Sequence, residues 1–138
     1  MKPRASVLIV DDEPLMRISI ADALKAEGCQ VKVATTGPEG MDLLKKEAFE
    51  IVISDLRLPG LDGLQILQMC KELSPRTGVI MITAHGSVET AVGAMKMGAY
   101  DYVTKPFGMD ELLLIVRRLV KVLELEDENR SLREELEG

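Results

Sequence analysis

Two rhythms of apolar residues alternate along the chain. Ser6 to Val10, Val31 to Ala34, Ile51 to Asp55, Val79 to Thr83 and Tyr100 to Thr104 are short runs rich in β-branched residues. Bounded by turn formers, such runs read as strands buried on both faces of a sheet. Between them the spacing becomes helical. Glu13-Pro14 opens a first helix, with Pro14 suited to its first position; Leu15, Ile18, Ala21, Ala23 and Leu24 supply the apolar side, and Gly28 stops it. Gly37-Pro38 begins a second helix through about Lys46, and Asp62 with Gln65 has the capping-box spacing for a third through about Leu73. Ser87 suits the N-cap of a fourth that ends at Gly98, and a last helix starts near Met109. Five strands alternating with five helices over short connections predict an α/β fold. The expected architecture is a doubly wound five-stranded parallel sheet in the order 2-1-3-4-5, helices on both faces, with an extended C-terminal helix.

Polar residues close four of the strands. Asp11 and Asp12 follow the first, Asp55 ends the third, Thr83 the fourth, and Lys105 follows the fifth. In a parallel sheet those ends share one edge, so residues distant in sequence converge on one cleft. Each has a plain alternative: capping acids for Asp11 and Asp12, a turn residue for Asp55, a strand former for Thr83, a surface charge for Lys105. Their convergence favours chemistry. Three carboxylates together repel one another and call for a cation, which Lys105 supplies in part and a hard divalent metal in full. Carboxylate oxygens and water suit Mg²⁺, which keeps several waters and bridges to phosphate. The chemistry that uses all of these parts is phosphoryl transfer onto a carboxylate nucleophile. Asp55 attacks, Mg²⁺ held by Asp12 and Asp55 neutralises the phosphoryl oxygens, and Thr83 and Lys105 hold the rest.

Charge is unevenly distributed. Residues 124–138 hold seven acids against Arg130 and Arg133, while the first 123 residues are nearly neutral, with 16 acids and 15 bases. Direct nucleic-acid binding by this segment is therefore not expected. Cys29 and Cys70 lack any paired-ligand spacing, so neither a zinc site nor a disulfide framework is indicated. No stretch reaches membrane-spanning length, and a cytoplasmic location with no membrane contact is expected.

With these residues in view, the chain resembles the receiver domain of bacterial two-component response regulators. The resemblance runs through Val10-Asp-Asp-Glu13, Asp55-Leu-Arg-Leu-Pro-Gly-Leu-Asp-Gly63, Thr83-Ala-His85 and Lys105-Pro-Phe107, over about residues 5–121. It implies that Asp55 is the phosphoacceptor, that Asp12 is a direct metal ligand, that Asp11 acts mainly through water, and that the backbone carbonyl of Arg57 completes the protein ligands. It implies further that Thr83 and Lys105 contact the phosphoryl group, that Lys105-Pro106 is a cis peptide, and that Tyr102 is the switch aromatic. A sensor histidine kinase is the implied donor. Arg57 is expected to tune dephosphorylation, and His85 reads as a loop residue rather than a ligand or base. The stretch from Thr83 to Phe107 is similar to one subgroup, the NtrC-like activators of sigma-54-dependent transcription, whose AAA+ output domain has no counterpart here: the chain contains no Walker sequence. The regulatory segment alone is expected, with residues 1–121 as receiver and 122–138 as a helical coiled-coil linker toward that output domain.

Helix four carries Gly93 and ends at Gly98, and each glycine weakens a helix by up to about 1 kcal/mol relative to alanine. An adjustable helix beside Thr83 and Tyr102 suits a two-state output face, on which Val88, Val92, Met95 and Met97 are either core or a contact surface able to repack. Beyond residue 121, Val122, Leu125, Asn129, Leu132 and Leu136 are spaced three and four apart, an a/d seam that extends backward to Ile115. Asn129 at an a position fixes register in parallel coils, and Lys121, Glu128, Glu126 and Arg133 place opposite charges at the g and e contacts. A homodimer through residues 115–136 is expected; a solvated acidic helix is the alternative. Two other functions stay open. An aspartyl-phosphate phosphohydrolase has a similar sheet but needs an acid where Arg57 stands, and a dimerisation module without phosphorylation would not require the polar cluster.

Overall fold

The computed structural model describes residues 4–84 and 88–137. Strands β1 (Ser6–Val10), β2 (Gln30–Ala34), β3 (Ile51–Asp55), β4 (Gly78–Thr83) and β5 (Asp101–Thr104) form one parallel sheet in the order β2-β1-β3-β4-β5. Helices α1 (Pro14–Ala26), α2 (Gly37–Lys46), α3 (Gly63–Leu73), α4 (Val88–Lys96) and α5 (Met109–Glu137) alternate with the strands. The doubly wound α/β order expected from the pattern is the one observed. Ser87, read as the cap of α4, and His85 lie outside the described residues.

The alternation of side chains along each strand divides the core into two layers. Val7, Ile9, Ile51, Ile53, Ile80, Ile82 and Val103 point toward α1 and α5; Leu8, Val10, Val52, Val79 and Met81 point toward α2, α3 and α4. Central strands β3 and β4 are buried along their whole length, which is why they read as unbroken apolar runs rather than as alternating ones. Gly28, at φ +91°, lets the chain leave α1 and turn into β2. The capping box of α3 is formed: Leu64 N–H donates to Asp62 Oδ1 at 2.9 Å, and Asp62 N–H to Gln65 Oε1 at 3.0 Å. Among the described residues no helix is long and apolar enough to cross a membrane.

Two expectations need correction, in α1 and α5, and in α4 one of two open alternatives is the one observed. In α1, Leu15 and Ile18 are exposed, and burial falls on Ile20, Ala21 and Leu24, with Met16 packed against them. The helix is rotated so that the i, i+4, i+8 row through Met16, Ile20 and Leu24 meets the sheet. In α4 only Ala91 and Ala94 are buried; Val88, Val92, Met95 and Met97 all face outward. In α5, Ile115 belongs to the domain's own core with Leu112, Val116, Leu119 and Val120. The exposed part of the proposed seam therefore begins at Val122 and runs through Leu125, Leu132 and Leu136.

Candidate functional site

At the carboxyl edge of the sheet, backbone bonds continue past the strand ends and hold the adjoining loops. Asp11 N–H donates to Ala34 O at 3.1 Å, Leu56 N–H to Ile82 O at 3.0 Å, and Lys105 N–H to Thr83 O at 2.8 Å. Each loop that carries a polar residue is thus tied to the neighbouring strand. The turn after β3 folds into a small antiparallel hairpin, Arg57–Leu58 with Leu61–Asp62, which sequence patterning read only as a turn. Gly63 then passes directly behind the Asp55 backbone. A Cβ there would lie 2.3 Å from Asp55 O and 2.7 Å from Leu56 Cα, so the close approach admits only glycine.

These constraints bring Asp11, Asp12 and Asp55 together, with one ligand oxygen from each within 4.8 Å of the others. Asp11 is fully buried and Asp55 nearly so, while Asp12 faces solvent. The Asp55 carboxylate is fixed from two sides: Arg57 N–H donates to Oδ1 at 3.0 Å, and Lys105 Nζ donates to Oδ2 at 2.9 Å. Lys105 also reaches Glu13 Oε2 at 3.5 Å, a carboxylate the sequence reading left out of the site. Glu13 occupies the N-cap position of α1, yet its side chain makes no capping bond. Arg17, likewise unanticipated, donates from Nη1 to the Asp11 carbonyl at 3.1 Å and steadies the acidic loop. The Lys105–Pro106 peptide bond is cis.

Electrostatics show what the cluster lacks. Burial raises the Asp11 carboxyl above the ordinary range, opposed by the Glu13 N–H and the Lys105 charge and reinforced by Asp55 and Asp12. Asp11 Oδ1 accepts from Glu13 N–H at 2.8 Å, but Oδ2 is buried with no hydrogen-bond partner among the described residues. A buried carboxylate oxygen without a donor, beside two more carboxylates, is the arrangement a divalent cation or its bound water completes. Mg²⁺ fits this all-oxygen set. For Lys105, burial alone would lower the ammonium pKa, but the hydrogen bond and charge of Asp55, with Asp11 and Glu13, outweigh it and hold the group above its usual value. Thr83, at the end of β4, is buried, and its hydroxyl lies 3.4 Å from both Val103 O and Thr104 Oγ1. Tyr102, on edge strand β5, is partly exposed.

An acidic triad, a lysine and a threonine on one sheet edge match the pattern of a known family, and residues 7–117 fit the response regulator receiver domain profile. The chain belongs to that family. Its relatives place this receiver domain in the NtrC-like subgroup. It is 45% identical over 129 residues to a putative NtrX-like response regulator of Rickettsia felis, covering 92% of this chain and 27% of that protein. It is 38% identical over 130 residues to the regulatory protein AtoC of Escherichia coli, covering 94% and 28%. Among solved structures, NtrX of Brucella abortus in complex with ADP superposes with a TM-score of 0.85 at 37% identity, covering 93% of this chain and 30% of that one. The receiver domain described here thus spans under a third of the length of these relatives.

Proposed function

We propose that this receiver domain accepts a phosphoryl group on Asp55 from a sensor histidine kinase and transmits the change to an output domain. The observation that carries the reading is the convergence of Asp11, Asp12, Asp55 and Lys105 around a buried carboxylate oxygen that has no partner among the described residues. An Asp55 oxygen forms the new bond to phosphorus as the phosphorus–nitrogen bond of the kinase's phosphohistidine breaks, leaving an acyl phosphate. Asp12, Asp55 and the Arg57 backbone carbonyl would hold Mg²⁺, with Asp11 acting through water, and the bound ion would supply positive charge for the phosphoryl oxygens. Lys105 moves from Asp55 Oδ2 to a phosphoryl oxygen, and Thr83 turns its hydroxyl toward another. Tyr102 follows the space that Thr83 leaves. The domain promotes its own phosphorylation and dephosphorylation and turns over no separate substrate, so it acts in the cytoplasm as a switch rather than as an enzyme.

Readout is assigned to the face that α4, β5 and α5 share. Val88, Val92, Met95 and Met97, Tyr102 on β5 and Leu114 on α5 are all exposed, and methionine-rich apolar surface of this kind can repack. Residues 1–121 act as the receiver and 122–138 as a linker that pairs in parallel with a second copy through Val122, Leu125, Asn129, Leu132 and Leu136. An AAA+ output domain beyond the linker receives the rearrangement, and this segment itself makes no nucleic-acid contact. The test is incubation with a small phosphodonor, with and without Mg²⁺, followed by intact mass. One added phosphoryl group that requires Mg²⁺ and is lost in Asp55→Asn supports the reading; no addition, or its retention in that variant, contradicts it.

A further inference from the structure

Thr83 and Thr104 are register partners at the last rung of the β4–β5 ladder. Paired residues of neighbouring parallel strands project to the same face, and threonine pairs across strands can share a hydroxyl hydrogen bond. Here the two Oγ1 atoms lie 3.4 Å apart, and the Thr83 hydroxyl has the same distance to Val103 O. Both contacts exceed the usual O–H···O separation, so one proton is shared weakly between two acceptors. The backbone cannot relieve this, because Lys105 N–H holds Thr83 O at 2.8 Å and fixes the two strand ends together. The remaining freedom lies in side-chain rotation.

We propose that Thr104 is a positioning residue: its hydroxyl is the resting partner of the Thr83 hydroxyl and sets the cost of turning Thr83 toward a phosphoryl group on Asp55. The role rests on Asp55 being the phosphoacceptor. In a two-state equilibrium, a contact made only in the resting state lowers the apparent affinity of any ligand that binds the other state. Loss of the Thr104 hydroxyl therefore favours the turned form. The effect is limited, since Thr83 keeps the Val103 carbonyl as a partner and the lost contact is a long one.

The measurement is an NMR-monitored titration of the whole chain with beryllofluoride, an acyl-phosphate mimic, at saturating Mg²⁺. Thr104→Val keeps the shape and strand preference of threonine and removes the hydroxyl; Thr104→Ser keeps the hydroxyl. Half-saturation in Thr104→Val falls about two- to fourfold, Thr104→Ser behaves as the unmodified chain, and half-saturation by Mg²⁺ alone is the same in all three. Thr104→Ala, which also lacks the hydroxyl, gives the same answer should the valine variant lose its native spectrum. Unchanged affinity in the hydroxyl-free variants overturns the proposal, and so does weaker affinity, which would assign Thr104 a direct contact with the mimic. Failure of the unmodified chain to bind beryllofluoride defeats the Asp55 reading itself, and the role of Thr104 with it.

Discussion

Lys105 Nζ lies 2.9 Å from Asp55 Oδ2, with only about a tenth of the Asp55 side chain exposed. This ammonium is a cation placed directly against Asp55, and under the proposed function it has two duties. At rest it offsets the repulsion among Asp11, Asp12 and Asp55; during the proposed transfer it would offer charge to the phosphoryl group. Lys105→Met is therefore expected to separate two effects. Stability of the metal-free protein falls by about 1–2 kcal/mol in urea unfolding, because three carboxylates lose their counter-charge. Phosphorylation by a small donor at saturating Mg²⁺ slows by at least about tenfold. Equal stability and equal rate would show the pair to be incidental.

Asp11 carries the opposite expectation. Its folded-state pKa is raised by burial, so the native protein binds this proton more tightly than the unfolded chain does. The contribution of Asp11 to stability is then greatest below its unfolded pKa and is lost as pH rises through the folded value. In metal-free solution Asp11→Asn, which keeps the Oδ1 acceptor for Glu13 N–H, should be about 1 kcal/mol more stable than the unmodified chain at neutral pH, and the gain should shrink in acid. The same substitution should weaken Mg²⁺ binding. Thermal unfolding across pH, with and without Mg²⁺, checks both.

Gly63 supports the Asp55 backbone from behind. A methyl group there would strike Asp55 O and Leu56 Cα, both backbone atoms that no side-chain rotation can clear. Gly63→Ala should cost about 2 kcal/mol or more in urea unfolding and slow phosphorylation by displacing Asp55. An unchanged unfolding midpoint would mean that the loop moves freely.

Much of this arrangement was legible in the sequence because it depends on period and order. Continuous apolar runs announced the buried strands, and the parallel order then forced Asp11, Asp12, Asp55, Thr83 and Lys105 to one edge. Features that depend on rotation about a helix axis were harder to read. Leu15 and Ile18 have helical spacing as good as that of Met16 and Ile20, and only packing against the sheet decides between the two rows. Ile115 continues the heptad numerically, yet the core of the domain claims it first. Glu13 near Lys105, Arg17 on the Asp11 carbonyl, and the pairing of Thr83 with Thr104 arise from register and loop geometry, which carry no periodic signal.

The C-terminal part of α5 gives a prediction independent of phosphorylation. Asn129 lies among exposed leucines on a helix that leaves the body of the domain. By sedimentation the full chain should be dimeric and the chain cut after residue 121 monomeric. Asn129→Leu should tighten the dimer while relaxing its register. A dimer that survives the truncation unchanged would show that association does not use the linker.

Formation of an acyl phosphate on the Asp55 carboxylate can be read by chemical trapping. Borohydride reduces an aspartyl phosphate to homoserine, so the chain is treated with phosphodonor and Mg²⁺, reduced, digested and sequenced by mass spectrometry. Homoserine at position 55, dependent on both donor and Mg²⁺, is the predicted result. Phosphorylated protein with an unmodified Asp55 after reduction, or homoserine at Asp11 or Asp12 instead, would rule out Asp55 as the acceptor.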